Sequence, residues 1–254
     1  MELDLWLLIP LLAAFFLAGF VDSVAGGGGL ISIPALLLAG IPPEMTMGTN
    51  KPCSTIGSCI SLALYSRGGM VHWKSALVSL PVAVLAGALG TKMLLYFDSA
   101  TIGKLVIFML PLGILFTMIP KRDRGEDKEL SAFARYVMLP LICIPVGFYD
   151  GFLGIGSGSL YILVLHAVVG MGLVKSSGTA KVFNLAGSIS ASLVYVWHGV
   201  TIFWLIPPLT AANIAGNWLG SRMAMRIGAP LVRRLLFLML CFLLASLIWK
   251  FWLT

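Results

Sequence analysis

Two interruptions in apolar sequence constrain this chain more than anything else in it. Residues 19–29 read Gly-Phe-Val-Asp-Ser-Val-Ala-Gly-Gly-Gly-Gly, placing one carboxylate, Asp22, just before four consecutive glycines. The pattern returns at residues 147–158, Gly-Phe-Tyr-Asp-Gly-Phe-Leu-Gly-Ile-Gly-Ser-Gly. A shift of 128 residues lays Gly19 on Gly147, Phe20 on Phe148, Asp22 on Asp150, Gly26 on Gly154 and Gly28 on Gly156. Backbone this rich in glycine breaks a helix, since each glycine costs about 1 kcal/mol there. In hydrocarbon, broken backbone survives only where protein or a watery cavity satisfies it. The breaks, built on Gly26, Gly27, Gly28 and Gly29 and on Gly154, Gly156 and Gly158, are therefore expected to wall one site.

Composition says what surrounds them. Of 254 residues, 59% are hydrophobic and 11% charged, and the mean hydropathy is +1.00. A soluble domain carries about 25% charged residues, so the expected fold is all-α, a polytopic membrane protein. Apolar segments fall at about 5–25, 43–66, 73–95 and 102–119, with a short piece at 30–39 after the first break. The second half repeats the plan at about 133–149, 174–197, 202–223 and 231–252, with a short piece at 160–169. Beyond the short pieces the shift becomes 130, laying Gly48-Thr49 on Gly178-Thr179, Lys51 on Lys181, Gly57-Ser58 on Gly187-Ser188, Tyr65 on Tyr195 and Gly90 on Gly220. One duplication thus spans nearly the whole chain. It divides the chain into a first transmembrane repeat at 1–120, a cytoplasmic connecting loop at 121–131 and a second repeat at 132–254.

Charge orients the halves. Basic residues in short loops mark the cytoplasmic side. The central loop is basic, and so is the stretch holding Arg222, Arg226, Arg233 and Arg234. If each short piece completes a crossing, both stretches lie inside, each repeat has about five crossings, and the second is inverted. Both termini then lie outside, in keeping with acidic Glu2 and Asp4, while Lys92 and Lys104 face outward against the rule. The acidic N-terminus does not resemble a cleavable signal. The net charge of +7 suits lipid headgroups and gives no cause to invoke nucleic acid. Trp6, Trp73, Trp249 and Trp252 read as interfacial anchors. Gly216-x-x-x-Gly220 and Ala86-x-x-x-Gly90 allow close helix contact, read as packing within the chain, with a homodimer left open.

Asp22, Lys51, Asp150 and Lys181 carry the chemistry. Each lies in or beside an apolar segment and has a counterpart in the other half. Four such charges facing lipid would cost about 10–14 kcal/mol on the insertion scale, so they must pair, line a wet cavity or meet a charged ligand. Mutual neutralisation, two acids against two bases, competes evenly with a role for the acids in coupling or lysine positioning. For the lysines the placement favours function. Each follows a Gly-Thr pair near the expected start of a helix, where free N–H groups and the dipole favour anions. Thr49, Asn50, Lys51, Thr179 and Lys181 would bind a small oxyanion, with Ser157 and Asn184 as further donors.

Other readings carry less. His166 could move a proton, but a lone histidine is more often a packing residue, as are His72 and His198 in loops. The glycines at 154–158 do not form a nucleotide loop. Cys53, Cys59, Cys143 and Cys241 make no CxxC pair and read as buried hydrophobes. No catalytic set, metal cluster or cofactor motif is evident.

The residues at 19–29 followed by Ile-Pro-Ala-Leu-Leu, then Gly-Thr-Asn-Lys, resemble the sulfite exporter TauE/SafE family. So do Gly-x-x-Asp-Gly-Phe-x-Gly-x-Gly-x-Gly and Gly-Thr-Ala-Lys in the second half. The resemblance implies a multi-pass carrier of the bacterial inner membrane that exports sulfite or a small organosulfonate. The expected function is a secondary transporter of a small anion, not an enzyme. The alternative, a membrane-embedded thiol relay or enzyme, would need a nucleophile–base pair or paired cysteines. An assembly factor has no positive feature in its favour.

Overall fold

The computed structural model describes residues 5–118 and 131–227, and the predicted segment at 231–252 and nearly all of the central loop lie outside them. Among the described residues the chain is helical. The first half forms α1 (Leu5–Ala25), α2 (Gly29–Leu38), α3 (Pro43–Arg67), α4 (Trp73–Leu94) and α5 (Ser99–Met118). A π-helical turn, Ala134–Met138, leads into α6 (Leu139–Phe152). Then come α7 (Ser157–Ala167), α8 (Leu173–Trp197) and, after a 3-10 turn, α9 (Ile206–Ile227). The predicted segments match these helices closely. One difference is that α9 continues past residue 223, so Arg222 and Arg226 belong to its last turns and not to a loop.

Three described helices are long and apolar enough to cross a membrane on their own composition: α1, α4 and α5. The 25-residue α3 and α8 are each about 37 Å long, enough to span a ~30 Å core. They read as polar because they are interior. Their serines, threonines and lysines face protein, and Tyr65 and Tyr195 at matching positions are fully buried.

The halves interlock by exchange. Helix α1 packs on α9 while its counterpart α6 packs on α4. Likewise α3 packs on α9 and α8 on α4, and α3 and α8 pack on each other. Small residues make these seams possible. A Cβ at Gly216 or Gly220 would collide with the Phe16 or Phe20 carbonyl, and one at Gly90 would collide with the Phe148 carbonyl. The small-residue motifs therefore serve contacts inside the chain.

Helices α3 and α8 run antiparallel. Gly48, near the start of α3, lies against the Val200 carbonyl just past the end of α8. Gly178, near the start of α8, lies against the Met70 carbonyl just past the end of α3. Each helix stops at a glycine in the left-handed region, Gly69 at φ +69° and Gly199 at φ +70°. The next N–H, on Met70 or Val200, turns back to the carbonyl of Tyr65 or Tyr195, a common helix stop.

Candidate functional site

The two breaks touch. Helix α1 ends at Ala25, Gly26 takes φ +75°, and α2 starts at Gly29. Helix α6 ends at Phe152, Gly154 and Gly156 take φ +69° and +72°, and α7 starts at Ser157. Gly26 lies flat on Gly158, where any Cβ would collide with backbone. The Ser159 N–H donates to the Gly26 carbonyl at 3.1 Å, and the Ser159 hydroxyl donates to the Ala25 carbonyl. Carbonyls freed by the end of α1 thus find donors in the other half, as a break inside a membrane requires.

The four charges form two crossed pairs. Lys51 Nζ lies 3.1 Å from Asp150 Oδ1 and 2.7 Å from the Asp150 main-chain carbonyl. Lys181 Nζ lies 2.6 Å from Asp22 Oδ2 and 2.6 Å from the Asp22 carbonyl. Each lysine therefore reaches across to the opposite repeat and caps the last turn of α6 or α1, where the negative end of the helix dipole favours a cation. Ser58 donates to Asp22 Oδ2 at 2.9 Å. Ser157 and Asn184 donate to Asp150 Oδ1 at 2.6 and 3.2 Å. Each acid is thus paired with a lysine of the other repeat, an arrangement that fits both mutual neutralisation and lysine positioning.

The lysines do not sit at free helix N-termini. Helix α3 begins at Pro43 and runs unbroken through Pro52, so Lys51 lies in its third turn, and Lys181 lies equally deep in α8. Pro52 has no N–H for the Gly48 carbonyl four residues back. The Thr201 hydroxyl, from the other half, donates to that carbonyl at 3.1 Å instead. The Gly-Thr pairs are also committed to backbone. Thr49 Oγ1 accepts the Ile202 N–H at 3.1 Å and Thr179 Oγ1 accepts the His72 N–H at 3.0 Å. Neither threonine lines the cavity described next.

That cavity, about 30 Å³, lies between the breaks. Asp22, Asn50, Lys51, Asp150, Ser157 and Asn184 line it, with Gly26, Gly28, Gly29 and Gly154. The helix starts that face it are those of α2 and α7, through Gly28, Gly29 and Ser157, although the Leu30, Ile31 and Ser159 N–H groups of those first turns already donate to the Gly27, Gly28 and Gly26 carbonyls. Asn50 Oδ1 is buried with no hydrogen bond. Sequence reasoning missed Ser54, Ser188 and Asn213, which also line the cavity, and Ser58. Ser54 and Ser58 follow Lys51 at helical spacing. Asn213 heads a polar stripe on α9 with Asn217 and Ser221, bonded to Ser61 of α3.

The remaining candidates fall into place simply. The His166 ring contacts the Met171 carbonyl at 2.8 Å, a packing role. Cys53 and Cys143 are buried and Cys59 is exposed, all three as free thiols. Cys241, Trp249 and Trp252 lie outside the described residues. Trp6 is exposed on α1.

Crossed pairs, touching breaks and a small cavity thus meet where the two halves join, and comparison with known proteins gives the lineage. The family described as "Sulfite exporter TauE/SafE" matches residues 11–247. The chain belongs to the sulfite exporter TauE/SafE family. It is 35% identical over 243 residues to a Haemophilus influenzae protein named "Probable membrane transporter protein", covering 94% of this chain and 93% of that one. It is 33% identical to "Probable membrane transporter protein ORF9" of Sinorhizobium sp, covering 92% and 90%. It is 30% identical to "Probable membrane transporter protein YfcA" of Escherichia coli K12, covering 91% and 87%. No solved structure matches the chain. As a TauE/SafE protein it is a membrane transporter and not an enzyme.

Proposed function

We propose that this transporter carries a small anion, sulfite or a small organosulfonate, outward across the bacterial inner membrane, and that its repeats are inverted about the cavity. The antiparallel course of α3 and α8 and the reciprocal packing of the halves support the inversion. Alternating access would then be a rocking of one half against the other around a fixed centre.

One observation carries the anion reading. The Lys51 ammonium, the Asn50, Ser54 and Asn184 side chains, and the starts of α2 and α7 converge on one small cavity beside Asp22 and Asp150. The ammonium and the positive helix ends suit oxyanions, and the Ser54 and Asn184 donors, now held by the Lys51 carbonyl and by Asp150 and Ser157, would turn to the anion as it enters. Lys181 stands one step behind, holding Asp22. The aspartates position the lysines. A volume near 30 Å³ is room for only a few waters, so an oxyanion enters only as a lysine–aspartate pair loosens and the breaks part. Loosening is feasible because each ammonium keeps a backbone carbonyl partner.

The test is a thermal-shift panel on purified protein with sulfite, sulfate, taurine, sulfoacetate and simple carboxylates. Stabilisation by sulfur oxyanions that is lost in Lys51→Ala supports the assignment. Equal stabilisation of Lys51→Ala and wild type removes it.

A further inference from the structure

The buried charges at the centre balance, and this constrains what can enter with an anion. Lys51 and Lys181 are matched by Asp150 and Asp22 at contact distance. An added anion leaves the closed centre with an uncompensated negative charge, which a low-dielectric interior strongly disfavours. A cation must accompany it.

The two aspartates differ in their ability to receive one. The Asp150 side chain is 1% exposed. Its Oδ2 is buried without a partner and faces Gly187, away from the cavity. The Asp22 side chain is 12% exposed and lines the cavity beside Lys51. Its Oδ2 holds Lys181 and Ser58, while its Oδ1 makes no hydrogen bond among the described residues. An anion on Lys51 in so small a space lies between the Asp150 and Asp22 carboxylates, which line the same cavity, and negative groups at close range do not all stay charged.

We infer that Asp22 takes up one proton for each anion charge admitted to the cavity. Each anion then moves together with a proton, so outward carriage runs on the anion's own gradient and not on the proton gradient, and the inference rests on the anion reading of the site. The ionisable groups around Asp22 are few, and the one acid among them is Asp150 of α6, which lines the same cavity. Helix α3 contributes Lys51 and Tyr65, whose hydroxyl donates to the neighbouring Ser23 carbonyl. Helix α8 contributes Lys181. Helix α2 has none, α7 has only Tyr161 and His166, and α9 turns Asn213 and Asn217 toward α1.

The test uses isethionate, whose sulfonate stays ionised from pH 5 to 9, and the full chain in detergent. Calorimetry in buffers of different ionisation enthalpy counts protons taken up on binding. The expected result is about one proton per isethionate, with affinity rising as pH is lowered, by up to about tenfold for each pH unit. Asp22→Asn should bind isethionate with no proton uptake and no pH dependence. Binding by wild type without uptake overturns the inference and leaves the anion site standing, as does a strict sodium requirement in place of uptake. Uptake retained in Asp22→Asn overturns the assignment to Asp22. Should Asp22→Asn fail to fold, Asp150→Asn decides: uptake kept in that variant supports Asp22, and uptake lost in it overturns the assignment. Binding of no anion at any pH sinks the anion reading and this inference together.

Discussion

The Thr201 hydroxyl of the second repeat completes the helix of the first, donating to the Gly48 carbonyl that Pro52 leaves without a partner. A proline in the interior of α3 is tolerated because the other half supplies the missing donor.

Thr201→Val keeps the shape and removes that donor. The buried Gly48 carbonyl then goes unsatisfied, at an expected cost of about 1–3 kcal/mol. Thermal unfolding in detergent should show a lower midpoint. The loss should shrink in a Pro52→Ala background, where the helix regains its own N–H. Equal losses in both backgrounds would show that Thr201 acts some other way.

The crossed pairs make a second prediction. Lys51→Ala leaves Asp150 buried with only serine and asparagine donors, and Lys181→Ala leaves Asp22 with Ser58. Breaking one side of a buried pair costs about 3–5 kcal/mol. Lys51→Met combined with Asp150→Asn should recover much of that loss, because no lone charge remains. A double variant less stable than Lys51→Ala would argue against the pair as the source of the cost.

Topology offers a third. Arg67 closes α3 and His198 follows α8, both exposed, at opposite ends of two antiparallel helices. If the repeats are inverted, cysteines placed at 67 and 198 react with membrane-impermeant thiol reagents from opposite faces, 67 from the cytoplasm. Labelling of both from one face would rule out the inverted arrangement.

A fourth concerns acidity. His72 lies in the connection between α3 and α4, its N–H on Thr179. Burial lowers its pKa, with Arg135, Lys175 and Lys74 adding to the effect. Folding thus favours the neutral ring. The associated stability is complete above the unfolded-state value, about 6.5, and declines as pH falls from there toward the depressed folded value. His72→Gln should flatten that part of the stability–pH curve and leave the region above pH 7 unchanged.

Much of this was legible in one sequence. The internal shift marks matching helices, and the glycine breaks mark where the helices end and what they face. What could not be read is the partner each half brings to the other. Lys51 shows no sign in its own helix that its counter-ion is Asp150 and not Asp22. Thr49 and Thr179 have the right chemistry for oxyanions, yet loop N–H groups from 153 and 107 residues away occupy them. Nothing near Pro52 in the sequence shows why a helix runs through it, because the donor that excuses it, Thr201, is equally remote. Spacing along one helix reveals which side chains share a face. It does not reveal what is packed on that face.

The reciprocal capping also bears on how the protein is made. Lys51 leaves the ribosome 99 residues ahead of its counter-ion, an interval of roughly 5–20 s at ordinary synthesis rates. Through that interval the newly inserted first repeat holds a bare ammonium and an incomplete central helix. It must be sheltered by the insertion machinery or by lipid headgroups until the second repeat arrives, so neither repeat expressed alone should be a durable membrane protein.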